Sequence, residues 1–317
     1  MSFKYINPGY AGLLQNQNPS YKANVVNATG KSKTGKAFTC RQFNFFKIPS
    51  TLANDEIWLK CDAYITKKRS LYFGEGYGTN SLQNGVNFSM GDSSFSLYIW
   101  YSHYSSQLTS IYYTDDIAAE TGLKLDAINS IWLHIKYGDA GTGFLELQIN
   151  NKRFDKIQDR KFSADDKTFG VIDTYASNTA CFSNIIVSDE YVDPYEEIIS
   201  LPITSTETDM TFNSDTEIYT ATATNQTLMS SVDLETVIND YGSDSKVTGI
   251  ALIGNPAYEA DGIVTNLTSL TKANETVTEH ETITLSSTST DAIGSSITTD
   301  TTLANLAGIQ YGWKAGV

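Results

Sequence analysis

Nine consecutive residues, Ile57-Trp58-Leu59-Lys60-Cys61-Asp62-Ala63-Tyr64-Ile65, alternate without a break. Ile57, Leu59, Cys61, Ala63 and Ile65 fall on one face, and Trp58, Lys60, Asp62 and Tyr64 on the other. Period two over this length is the signature of a strand that buries one face. The same rhythm returns in Ile131, Leu133, Ile135 and Tyr137, which alternate with Trp132, His134 and Lys136. A turn, Gly138–Gly143, then leads to Leu145, Leu147 and Ile149 on a return strand. Asn150-Asn151 offers a second tight turn, because Asn tolerates positive φ. Cys181–Ser188 reads as a further strand.

The composition agrees with a chain built from such strands. Only 18% of the residues are charged, against the usual share of about a quarter. Thr, Ser, Asn, Gly and Tyr make up much of the rest, residues suited to strands and turns and not to long helices. The fold expected is all-β. A length of 317 residues suggests about two domains. The charge divides unevenly: residues 1–200 hold 19 Lys+Arg against 21 Asp+Glu, a net of −2, and residues 201–317 hold 3 against 15, a net of −12. Pro194 and Pro202 flank a dense acidic stretch that ends the strands. The expected organisation is an N-terminal arm over 1–37, a sandwich over 38–203 and a smaller β-sandwich over 204–317, with the junction between 200 and 210. In the second module, 24 threonines among 117 residues accompany strands at Lys246–Ile253, Ile263–Leu270, Thr278–Leu285 and Ala307–Lys314. Only Ser231–Tyr241 has helical character.

Several function classes are disfavoured. An acidic chain lacks the cationic surface that nucleic acid and anionic membranes require, and no apolar run reaches membrane-spanning length. The first ten residues show no apolar core of a secretion signal, so triplets such as Asn87-Phe88-Ser89 and Asn266-Leu267-Thr268 imply no glycans. An outward-facing composition without such a signal suits virion components, which assemble in the host cytoplasm. Cys40, Cys61 and Cys181 are odd in number and widely spaced without a CxxC, so buried structural thiols are expected.

Several segments carry a family resemblance. Asp55–Ile65, Trp132–Lys136 with Leu145–Asn150, and Phe182–Glu190 resemble strands of concanavalin A-like (laminin-G-like) jelly rolls, the last as found in phage structural proteins. Thr299–Lys314 is similar to the last strand of accessory β-sandwiches in phage tail proteins. The resemblance implies a tailed-phage virion surface protein: a tail fibre, receptor-binding or decoration protein. It implies other virion proteins and a bacterial surface glycan as partners, and a homo-oligomer, a trimer. A head decoration or fibre-spacer role and a virion-associated glycan-degrading enzyme are the alternatives.

For chemistry, no Glu-x-Asp-x-x-Glu supplies the paired carboxylates of glucanases, so no catalytic residues are assigned. The cluster Asp189, Glu190, Asp193, Glu196 and Glu197 reads as a solvated linker. His103, His134 and His280 lie far apart and form no recognisable metal or triad motif. Gly74-Glu75-Gly76-Tyr77-Gly78 reads as a turn after Leu71-Tyr72-Phe73. No cofactor is expected; Asp115-Asp116 and Asp139 have the oxygen chemistry of calcium ligands, but no loop has a calcium spacing. The ligand-binding candidates are Tyr98, Trp100 and Tyr104, placed on one face by strand alternation. Such rings either stack on sugars or fill a core or an oligomer interface.

Overall fold

The computed structural model describes residues 4–15, 24–25, 27–39, 44–46, 55–66, 70–77, 81–112, 116–163, 169–173, 181–254, 256, 262–285 and 293–317. The chain divides into two compact units, Met1–Ile198 and Ile199–Val317, a few residues upstream of the sequence-based junction. Both are built almost entirely of antiparallel strands.

The first unit is a jelly-roll sandwich of an eight-stranded and a seven-stranded sheet. The eight-stranded sheet runs, edge to edge, Lys152–Arg153, Phe144–Ile149, Ala127–Lys136, Glu56–Ile65, Cys181–Ser188, Phe38–Thr39 and Asn24–Val25, with Lys4–Asn7 also paired to Cys181–Ser188. The seven-stranded sheet runs Tyr104–Tyr112, Ser94–Tyr101, Ser81–Met90, Ser70–Tyr77, Phe169–Asp173, Asn44–Phe46 and Leu14–Gln15.

The alternation seen in the sequence becomes the core. Across three strands the register aligns Cys61, Ile131 and Ile149; Leu59, Leu133 and Leu147; and Ile57, Ile135 and Leu145. All nine are buried, together with Phe73, Val86, Phe88, Phe95, Leu97 and Val171 of the opposite sheet. Each large aliphatic chain in such a core contributes about 2–5 kcal/mol against truncation to alanine. Asn150 takes φ 51° in the turn to Lys152–Arg153, the conformation its short amide tolerates.

The N-terminal residues are not a free arm. Lys4–Asn7 pairs with Cys181–Ser188, and Tyr5, Ile6 and Asn7 are buried. Their polar groups are satisfied internally: the Tyr5 hydroxyl donates to the Leu13 carbonyl at 3.1 Å, and Asn7 Oδ1 accepts from the Gly9 and Tyr10 amides at 2.8 and 2.7 Å. The polar composition that reads as an arm is that of a segment folded on its own hydrogen bonds.

Gly74–Tyr77 is likewise strand and not turn. Gly74 lies opposite Gly85, and a Cβ on either would come within 2.9 Å of backbone atoms of the other strand. Here glycine allows two backbones to approach, and Glu75, next to Gly74 in its strand, is buried with Asn84 Nδ2 at 2.6 Å from its carboxylate.

The second unit has a five-stranded sheet in the order Ile203–Thr208, Thr227–Val232, Gln310–Gly316, Asn266–Ala273 and Thr276–Thr284. A ribbon of Lys246–Gly254 and Ile293–Thr302 packs on it: Leu252 meets Tyr311 and Trp313, and the Ser269 and Ser295 hydroxyls bond at 2.7 Å in the interior. The helical character near 231–241 resolves to a helix at Glu235–Tyr241, whose Val237 packs with Leu234, Leu303 and Leu306.

Candidate functional site

The sandwich leaves two outer faces, and they differ in kind. The outer face of the eight-stranded sheet is charged and covered. Trp58, Lys60 and Asp62 point outward from Glu56–Ile65, yet Lys60 and Asp62 are almost fully buried. The acidic stretch that reads as a solvated linker belongs to this cover: Asp189 and Val192 are buried, and the Val192 carbonyl accepts from Trp132 Nε1 at 2.7 Å. The Ile198 amide donates to Asn184 Oδ1, whose Nδ2 donates to Asp62. Lys33 pairs with Glu197 at 2.6 Å.

Beside this cover lies an ion network that sequence spacing does not show. His134 stacks on Trp58, with ring centroids 4.3 Å apart, and meets Phe144 edge-on. Its Nδ1 lies 2.9 Å from Glu146 and its Nε2 3.0 Å from Glu56, from strands on either side. Lys136 pairs with Glu56, and Arg153 with Glu146. The Lys136 hydrogen bond first, and that of His134 with it, holds the Glu56 carboxyl below its ordinary value. Burial pushes Glu146 up, but the His134 bond and nearby cations outweigh it, so Glu146 is also lowered.

Their stabilisation is therefore complete above the ordinary carboxylate value of 4.5 and is lost as pH falls through their lower folded values. Asp62 acts in the opposite sense, because burial raises it. We expect His134→Gln to cost about 1–2 kcal/mol at neutral pH and to flatten the loss of stability below pH 4.5; urea unfolding across pH checks both.

The outer face of the seven-stranded sheet is different. Its register sets three rows across the strands: Ser105, Trp100, Gly85, Gly74 and Gly170; then Gln107, Tyr98, Asn87, Tyr72 and Ile172; then Ser110, Ser96, Ser89 and Ser70. Trp100 and Tyr98 are half-buried, with Gln107, Ser105 and Ser110 exposed beside them. In its row Trp100 stands between Gly85 and Ser105, and with Leu82 it packs against the buried Tyr72. Its seat is Tyr72, whose ring it meets at 87° with centroids 6.5 Å apart. Tyr72 is buried over Gly74 and Gly85, its hydroxyl held by the carbonyls of Glu75 and Asn84. The Tyr98 hydroxyl reaches Gln107 Oε1 at 3.3 Å.

Of the three sequence candidates, this face brings Tyr98 and Trp100 together and excludes Tyr104. A two-residue turn, Ser102 at φ 45° and His103 at φ 69°, ends the strand at Tyr101. Tyr104 starts the next strand opposite Tyr101, shares that residue's face and lies 6.3 Å from its ring. Asn87, Gln107 and the serine row complete the face and were missed. Their signal was available in the polar alternation of Asn87 and Ser89 with Val86, Phe88 and Met90, and of Ser94 and Ser96 with Phe95 and Leu97.

The other candidates have structural duties. Asp116 caps the helix Ile117–Thr121 by accepting from the Ala119 amide, and Asp139 lies 3.4 Å from Lys161; Asp115 falls outside the described residues. Cys61 and Cys181 are buried, and Cys40 falls outside the described residues. Among the described residues no group of three or more His, Cys, Asp and Glu is disposed to hold a metal ion, and no helix is long and apolar enough to cross a membrane.

No family model and no curated protein matches the chain. Solved structures similar to it include an endo-β-1,4-glucuronan lyase from the fungus Trichoderma reesei, with 10% identity over 61% of this chain and 98% of that one and a TM-score of 0.39. Another is carbohydrate-binding module CBM66 from Bacillus subtilis, with 12% identity, 56% and 94% coverage and a TM-score of 0.33. A third is a carbohydrate esterase from a Shiga toxin-encoding bacteriophage, with 8% identity, 57% and 89% coverage and a TM-score of 0.33. At these scores none of them assigns a site or an activity to this chain.

Proposed function

We propose that this chain is a phage virion surface protein, of the tail-fibre or receptor-binding type, that binds a host-surface glycan on the outer face of its seven-stranded sheet. One observation carries the reading: Trp100 and Tyr98 stand side by side, partly exposed, among the amides and hydroxyls of Asn87, Gln107, Ser96 and Ser105. Aromatic faces take the apolar side of a pyranose ring, and amides and hydroxyls bond its rim. The opposite outer face is closed by the segment 189–198 and by ion pairs. The virion assignment draws its support from the resemblance of the strand patterns to phage structural proteins.

The proposed role is non-catalytic. Its support is that the described residues of the face include no carboxylate, and hydrolysis by a carboxylate pair needs two. The proposed assembly is a homotrimer, which light scattering of the purified chain checks against the protomer mass of 34.8 kDa.

A bacterial polysaccharide array tests the reading. Retention on at least one surface glycan, without release of oligosaccharides, is the expected result. Tyr104→Ala is expected to change that affinity by no more than about twofold, since residues outside the contact centre are near neutral. Absence of retention across the array, or location of the labelled protein on the capsid in intact particles, refutes receptor binding. Oligosaccharide release refutes the non-catalytic assignment.

A further inference from the structure

Resting on that reading, we infer that the glycan is uncharged: a neutral hexopyranose polymer and not a uronate- or sialate-bearing one. The inference starts from the register. In 317 residues that include 58 charged ones, the outer face of the seven-stranded sheet carries no Asp, Glu, Lys or Arg among the described residues. This holds on Ser70–Tyr77, Ser81–Met90, Ser94–Tyr101 and Tyr104–Tyr112, from Ser105 and Gln107 at the edge to Tyr72 and Ser70. The corresponding face of the eight-stranded sheet, in the same unit, carries Glu56, Lys60, Asp62, Lys136 and Glu146. The lack of charge is thus a property of one face and not of the fold.

Two physical consequences follow. A sugar carboxylate brought against Trp100 and Tyr98 gives up part of its hydration, and the described residues of the face offer no cation to replace it, which makes that transfer costly. A neutral sugar meets hydroxyl and amide partners that both donate and accept, and these suit its hydroxyls whichever way they point. The Ser70, Ser89, Ser96 and Ser110 row lies one register step beyond Tyr98 and continues the polar track across four strands. Lys67, Lys68 and Arg69, which precede Ser70 in the sequence, fall outside the described residues, and the anionic polymers in the experiment below report on them.

Affinity electrophoresis of the purified full chain tests the inference, with dextran, mixed-linkage β-glucan or galactomannan in the gel, and with alginate or polygalacturonate in parallel gels. The expected result is retardation by at least one neutral polymer, unchanged between low and high salt and lost in Trp100→Ala, with no retardation by either uronate. Salt-sensitive retardation by a uronate that Trp100→Ala abolishes overturns the uncharged ligand while leaving the aromatic face as the site. Retardation by a neutral polymer that Trp100→Ala leaves intact overturns the site itself, and with it this inference. Retardation by none of the polymers overturns it also.

Discussion

Gly85→Val lowers the stability of the first unit by about 3 kcal/mol, the upper part of the range for forcing atoms into a filled space. A Cβ at this position lies 2.5 Å from the Phe73 carbonyl oxygen, 2.8 Å from Gly74 Cα and 2.9 Å from the Tyr72 hydroxyl. Two of those three neighbours are backbone, which cannot swing aside without breaking the pairing of Ser70–Tyr77 with Ser81–Met90. Yielding at the third neighbour displaces Tyr72, the seat of Trp100. For a unit of this size the loss corresponds to a fall in Tm of roughly 6–12 °C, read by calorimetry as a shift of the first unit's transition. Gly141→Ala is the control: nothing lies within 4 Å of its Cβ position, and only its φ of 89° opposes the substitution, at roughly 1 kcal/mol. Equal Tm values for Gly85→Val and the unmodified chain would contradict the close approach of the two strands.

If the proposed site binds glycan, Trp100→Ala is expected to abolish most of that binding while the fold persists. A central aromatic anchor in a recognition surface is worth about 2 kcal/mol or more, which is a loss of roughly 30-fold in affinity. The ring is half-buried and its register neighbours are Gly85 and Ser105, so truncation leaves no closed cavity. The stability change should remain near 1 kcal/mol, from the lost edge-to-face contact with Tyr72 and the area it covers. Trp100→Phe keeps a ring and should recover part of the affinity, a graded series that a mere structural role does not produce. Titration calorimetry against a retained polysaccharide measures the affinities, and thermal unfolding of the same samples measures the fold.

Much of the architecture was legible because burial imposes period two. Cys181–Ser188 is a strand over the residues that its pattern marks, and the alternation of 57–65 and 131–149 reappears as three aligned layers of the core. What was not legible depends on register between distant segments. The Tyr104 side of the candidate site failed because Ser102-His103 makes a tight turn with two positive φ values and lacks the Asn-Gly or Asp-Gly that usually announces one; the alternation was carried through a reversal and changed face. The glycines at 74 and 76 suggested a turn, whereas the cause of Gly74 is a partner strand that only pairing reveals. The acidic run at 189–197 looked solvated by charge, while the single apolar Val192 and the carbonyl it offers to Trp132 anchor it to the sheet. His134 shows the limit most plainly: its two carboxylates come from Glu56 and Glu146 on flanking strands, 78 and 12 residues away.

The four tryptophans report separately on the places where a ligand could lie. Trp100 is on the outer face of the seven-stranded sheet, Trp58 and Trp132 are on that of the eight-stranded sheet, and Trp313 is in the interior of the second unit. Their indole N–H resonances, assigned by single Trp→Phe substitutions in the full chain, can be followed by NMR as a retained polysaccharide fragment is added. The proposed site requires a saturable shift of the Trp100 resonance with the other three unmoved. Shifts at Trp58, Trp132 or Trp313 while Trp100 stays in place would contradict it.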